Sequence, residues 1–159
     1  MLNKQELIQK FQEEVPITIK VLKAVPRDQV HFKPHDKSNS VHQLIKTFIG
    51  DLMMSESFAR GIVPEDVMSK ITEFTSIDEG IEQLQTALDG VSKTLSKVSD
   101  DDLNQEFSAW GINKTRTNFV LWMLFDHIHH RGQLSVYVRL AGGLVPSIYG
   151  PSADDNGQM

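Results

Sequence analysis

Three of the six histidines fall within four residues, at His127, His129 and His130, and Asp126 directly precedes them. Imidazoles and carboxylates ligate divalent metals, carry protons and orient one another, so chemistry would concentrate in this run. On a helix, at about 100° per residue, Asp126 and His130 form an i, i+4 pair about 40° apart. His129 lies about 60° to the other side and His127 about 100° off. Phe119, Met123 and Tyr137 share the bearing of Asp126, so that face is expected to look inward. A carboxylate and an imidazole converging there can hold a divalent metal with positions left open for water or substrate. They can equally form a buried hydrogen-bonded pair with no metal. His127 and His129 are expected at a surface or interface. Arg131 is expected to bond a carboxylate or carbonyl at a helix–helix or subunit contact.

Four long helices are expected to position these groups. The first, from about Leu2 to Ala24, has Leu7, Ile8, Phe11, Val15, Ile19 and Leu22 at helical spacing, and Pro16 should kink or split it. A polar connection with prolines follows, with Phe32 and Pro34 as anchors. The second helix opens at Ser40 with a capping box to Gln43 and ends near Gly61. The third begins at Ser76 with a second box to Glu79 and carries Ile77, Ile81, Leu84, Leu88, Val91, Leu95 and Val98. Asn104 to Lys114 reads as a loop packed by Phe107 and Trp110. The fourth helix runs from near Thr115 to about Ala141, where Gly142-Gly143 stops it. No strand is needed. The economical architecture is an all-α four-helix bundle over residues 1–150, followed by a polar tail, 151–159, that should fray. The fourth helix is apolar nearly all round between Phe119 and Phe125, which supports a homodimer.

Composition narrows the chemistry. The 159 residues carry a formal net charge of −5 and no cysteine. Zero Cys removes disulfides, thiolate zinc sites and a cysteine nucleophile, so any thiol chemistry needs an external thiol. An acidic chain without clustered Lys/Arg is not expected to bind nucleic acid. The N-terminus has no apolar signal core, and the densest apolar run is far short of the roughly 18 residues of a membrane span. The expectation is a cytoplasmic protein without membrane contact.

The run Phe125-Asp-His-Ile-His-His-Arg-Gly-Gln-Leu-Ser-Val-Tyr-Val-Arg-Leu-Ala-Gly-Gly143, followed by Val145-Pro-Ser-Ile-Tyr-Gly-Pro151, resembles the DinB/YfiT-like family of metalloenzymes. The resemblance implies an up-down-down-up four-helix bundle, commonly dimeric, with a metal held by three histidines. One of these comes from the second helix and two from the fourth, in a pattern like His-x-x-x-His-Arg-Gly-Gln. Some relatives use the metal for thiol S-transfer or isomerisation.

Carried over residue by residue, His130 matches the final histidine of that pattern and Asp126 stands four positions before it, in place of a histidine. In the second helix Thr47 stands where the family has histidine, and a neutral hydroxyl is a poor ligand for Zn or Ni. His42 falls on roughly the opposite side of that helix and is expected to be a solvated N-terminal residue. Asp51, one turn after Thr47 and about 40° away, faces the same interior. Asp51, Asp126 and His130 would then be the metal ligands with Thr47 in the pocket, a set that suits a harder ion such as Mn or Fe better than an all-histidine site does, with Zn, Ni, Mn or Fe as candidates. Two functions follow as expectations. One is a divalent-metal-dependent hydrolase or thiol S-transferase with its site between helices two and four. The other is a metal-free, non-catalytic dimeric bundle that binds a small ligand or serves as a scaffold.

Overall fold

The computed structural model describes residues 2–154. In chain order it contains α1 (Lys4–Lys23), α2 (Val41–Ala59), a 3-10 turn (Val67–Lys70), α3 (Ile77–Lys97), a short α4 (Asp100–Asn104), strands β1 (Glu106–Ala109) and β2 (Ile112–Thr115), and α5 (Arg116–Leu140). The long helices α1, α2, α3 and α5 form the expected bundle, up-down-down-up. Helix α2 packs against α3 and α5, and α1 packs against the same two helices. Helices α1 and α2 therefore occupy opposite corners, with α3 and α5 between them.

Local chemistry sets the ends. Asn3 caps α1 with a reciprocal Glu6 contact, and Ser40 and Gln43 form the box expected for α2. At α3 the Ser76 hydroxyl accepts from the Glu79 N–H, but the Glu79 carboxylate turns to the N–H of Thr75. Helix α2 ends with Gly61 at φ +70 and α5 with Gly142 at φ +88. In each case the next residue's N–H reaches back five residues to close the last turn, Ile62 to Ser57 and Gly143 to Val138.

Two expectations are corrected. Of the kink or split expected at Pro16, the split does not occur, since Pro16 lies within one continuous helix. The carbonyl of Glu14, two residues before it, has side-chain partners in Thr18 and Arg131. The segment expected to be a loop, Asn104 to Lys114, instead contains a two-stranded antiparallel hairpin with Ala109 opposite Ile112. Its two-residue turn has positive φ at both Trp110 and Gly111, the geometry that matches the natural twist of paired strands. The indole meets the Phe58 ring edge-on at 5.3 Å, which offsets the unfavourable backbone at Trp110.

Candidate site between two bundle helices

Buried positions of α5 identify the face turned into the bundle. Phe119, Val120, Met123, Leu124, His127, Arg131, Leu134, Tyr137 and Val138 are buried. On the helical wheel their centre falls near the bearing of His127, about 100° from Asp126. The expectation that Asp126 marks the inward direction is therefore corrected, because Phe119 and Tyr137 lie at the edge of the buried face.

His127, expected at a surface or interface, is fully buried within the bundle. Its Nε2 lies 2.8 Å from the Thr18 hydroxyl of α1, and its ring packs 4.8 Å from Phe48 of α2. Burial, reinforced by the charge of Arg131, pushes the imidazole down to about 3, so it is neutral. The Phe48 backbone faces the ring but makes no well-formed hydrogen bond to Nδ1. His127 is a structural joint between three helices.

Arg131 follows the sequence reading. Its guanidinium, also buried, donates to the Glu14 carbonyl at 3.0 Å and to Glu14 Oε2 at 2.7 Å. It also bonds the Tyr149 hydroxyl and lies 5.1 Å from the centre of that ring. Sequence reasoning missed Glu14 and Tyr149. Tyr149 belongs to the Ser-Ile-Tyr-Gly run after α5, and that run folds back onto the bundle. Lys20 holds the Ser147 carbonyl, while Asp154 accepts from Arg139 and from the N–H of Val145. The start of the tail, 151–154, is thus fastened where fraying was expected, and residues 155–159 lie outside the described residues.

His42 is also corrected. Its ring lies tilted against Phe74 at 4.3 Å, and Nε2 lies 3.2 Å from the Phe74 carbonyl and 3.1 Å from Glu73 Oε1. It braces the α2–α3 connection and is not a free, solvated group.

The four residues singled out for chemistry, Thr47 and Asp51 on α2 and Asp126 and His130 on α5, do not line one common cleft. Asp51 is 1% exposed, and neither carboxylate oxygen has a hydrogen-bond partner. Burial first, and the nearby charge of Asp126 second, push its carboxyl up to about 9. Asp51 is therefore a neutral acid at neutral pH. Asp126 is partly exposed, with Oδ2 3.4 Å from His130 Nε2. On the other side of that ring Nδ1 lies 3.3 Å from Gln133 Oε1, and Gln133 Nε2 contacts His129 Nε2 at 3.1 Å. His130 thus stands between two polar side chains, one at each ring nitrogen, which orient it. The Thr47 hydroxyl donates to its own helix, to the Gln43 carbonyl at 3.0 Å.

Two clefts adjoin at Asn39. One, of about 450 Å³, is lined by Asn39, His42, Gln43, Lys46, Thr47 and Met68. The other, of about 400 Å³, is lined by Pro34, Lys37, Ser38, Asn39, His130, Gln133 and Tyr137. Neither lining contains a carboxylate, and Asp51 and Asp126 line neither. In the first cleft Lys46 and His42 share Glu73, and in the second Lys37 is the cationic side chain beside the His130 ring.

These residues, as arranged, do not fit the three-histidine metal centre. Thr47 replaces one ligand with a hydroxyl turned to a carbonyl, and Asp51 holds a proton. His130 has both ring nitrogens engaged, Nε2 with Asp126 and Nδ1 with Gln133. Among the described residues no group of three or more His, Asp or Glu is gathered as a ligand set. No step is routed through a metal here.

Comparison with known proteins agrees with the fold. The sequence matches the DinB family over residues 1–158. It is 24% identical over 154 residues to YjoA, an uncharacterized Bacillus subtilis protein, covering 89% of this chain and 93% of that one. It is 32% identical over 57 residues to a second uncharacterized B. subtilis protein, YrdA, a match spanning 36% of this chain and about a third (34%) of that protein. The crystal structure of the DinB-like YjoA superposes with a TM-score of 0.74 at 21% identity, covering 92% of this chain and 98% of that one. A DinB-like protein from Bacillus cereus ATCC 10987 superposes at 0.75 and 20%, covering 91% and 97%. No described helix is long and apolar enough to cross a membrane. With the sequence match running over essentially its whole length, this chain belongs to the DinB family.

Proposed function

We propose that this protein binds a small anionic ligand in the cleft beside His130 and acts on it by proton transfer without a metal. The observation that carries the reading is Asp51, a fully buried carboxyl with no partner, next to the Asp126–His130 pair. A group of this kind destabilises the fold and serves no packing purpose, so its place is explained by a site. Lys37 and the His130 ring attract the anionic group, while Pro34 and Tyr137 offer apolar surface to the rest of the ligand. The His130 contacts at 3.3 and 3.4 Å are long, so a ligand anion can displace Gln133 from Nδ1 while Asp126 keeps the ring in place. His130 then gives or takes the proton, and the neutral Asp51 prevents a second negative charge from building up behind Asp126. The test is calorimetric titration of chelator-treated protein with a panel of small carboxylates and phosphates and their neutral amides or esters. At least one anion should bind, its neutral analogue should not, and His130→Gln should weaken binding at least tenfold. Binding that appears only after a divalent metal is restored would overturn the proposal.

One observation favours a second reading. The two unpartnered Asp51 oxygens beside Asp126 are what a divalent cation would neutralise, with His130 turning to complete the shell. Two carboxylates and an imidazole suit Mn or Fe better than Zn or Ni. The site would then serve metal-dependent hydrolysis or transfer to an external thiol. Elemental analysis of untagged protein purified without added metal separates the two. A stoichiometric ion that Asp51→Asn releases supports the second reading, and a metal-free protein that binds the anion supports the first.

A further inference from the structure

A separate cavity of about 380 Å³ opens along the contact between α2 and α3, and no residue of α5 lines it. Its walls follow from two stripes at helical spacing. On α2 these are Ile49, Met53 and Glu56, and on α3 Gln83, Ala87, Gly90 and Thr94. The α3 stripe is small at its middle, so Ala87 and Gly90 leave room that larger side chains would fill. Ile49, Met53, Ile71 and Ala87 make an apolar floor, and Glu56 is the one carboxylate of the lining. Glu56 is half-buried, and its Oε2 accepts from the Thr94 hydroxyl at 3.0 Å. Glu14 has Arg131 and Glu73 has Lys46, but no ion pair reaches Glu56 among the described residues. Its other oxygen, Oε1, lies over Gly90, where a Cβ would run into it. Gly90 stands inside the 21-residue α3, where glycine is a poor helix former, and the carboxylate occupies the space it leaves. The one cation of the lining, Lys70, is exposed and turned back on its own segment, with Nζ 3.0 Å from the Glu65 carbonyl.

We propose that this cavity binds a primary alkylammonium ligand, its ammonium on the Glu56 carboxylate and its chain on the apolar floor. A half-buried carboxylate is costly to keep without a cation. An ammonium supplies the opposite charge together with N–H donors, which no neutral or anionic head group offers. Thr94 holds one carboxylate oxygen in place, so the group is oriented before the ligand arrives. The cavity lies near the small end of the range for ligand sites, about 300–1,000 Å³, and accommodates a chain of about six carbons. Ile49, Met53, Ile71 and Ala87 then cover that chain, and its burial adds affinity that a bare ammonium ion lacks. The two ligand sites of the molecule are independent, since no residue lines both this cavity and the cleft beside His130.

Titration of the full chain with n-hexylammonium, followed by amide NMR shifts, tests the assignment, with n-hexanol and hexanoate as matched controls. Saturable shifts should centre on Met53, Glu56 and Gly90, and both controls should bind more weakly by about tenfold or more. Glu56→Gln keeps the shape but removes the charge, and should weaken hexylammonium binding by about tenfold or more. Gly90→Ala favours the helix yet displaces the carboxylate, so it should weaken binding with the fold retained. No saturable binding of hexylammonium, equal or tighter binding of either control, shifts centred on the cleft beside His130, or full affinity in either variant would each overturn the proposal.

Discussion

The Thr18 hydroxyl lies 2.8 Å from Nε2 of His127, joining α1 to α5 in the middle of the bundle. That bond removes one of the clustered histidines from the chemistry and gives it a structural part. A neutral, fully buried imidazole is acid-labile. Its charged form is favoured far more in the unfolded chain, where it titrates near 6.5, than in the fold, where it titrates near 3. The fold therefore binds fewer protons between these values, and its stability falls as pH drops from about 6.5 towards 3. Urea unfolding of the wild type should show this loss, and His127→Phe should lack that part of it. His127→Ala should lower stability by about 3 kcal/mol at pH 7, through the cavity and the stranded Thr18.

Asp51 imposes the opposite slope. Its folded value of about 9 lies above the ordinary carboxylate value of 3.8, so the stability it contributes is complete below about pH 4 and is lost as pH rises towards 9. Asp51→Asn removes that dependence while keeping the shape. The two stability curves should diverge steadily above pH 4, by at most about 4 kcal/mol at pH 7. Parallel curves from pH 4 to pH 9 would show that the carboxyl ionises freely in the fold.

Arg131 and Glu14 form a buried pair across α1 and α5 that the Tyr149 hydroxyl completes. Arg131→Met should cost about 3 kcal/mol, because it leaves the Glu14 carboxylate buried without its cation. Tyr149→Phe should cost about 1 kcal/mol. The double variant should cost less than the sum, since both act on the same carboxylate. Chemical unfolding of the three variants gives the coupling directly.

Closure of the tail over the bundle depends on Gly143, where a Cβ would lie 2.3 Å from the Ala24 carbonyl oxygen. Gly143→Ala forces that backbone apart and should lower the melting temperature and expose the tail to protease. Gly142→Ala, whose Cβ would enter open space, should show only the smaller strain of its positive φ.

The sequence made the bundle legible because each long helix carries an apolar face at 3.6-residue spacing and a recognisable cap. The hairpin was hidden because its strands are four residues each and mostly solvent-facing, so no two-residue alternation stands out. Asp51 was legible as the interior neighbour of Thr47 one turn on. The error at Asp126 came from setting the helix by Phe119 and Tyr137, which sit at one edge of the buried face and place His127 on the wrong side. The Glu14–Arg131–Tyr149 contact was beyond reach, since Glu14 lies 117 residues from its guanidinium partner and only the tertiary fold unites them.

The most direct test of a proton-loaded, metal-free site is the titration of the Asp51 carboxyl carbon by NMR, in chelator-treated protein and again with one equivalent of Mn²⁺ or of diamagnetic Mg²⁺. The site described here predicts a midpoint near 9 that one equivalent of cation leaves in place. A midpoint near the ordinary carboxylate range, or a proton released at neutral pH when the cation is added, would contradict it.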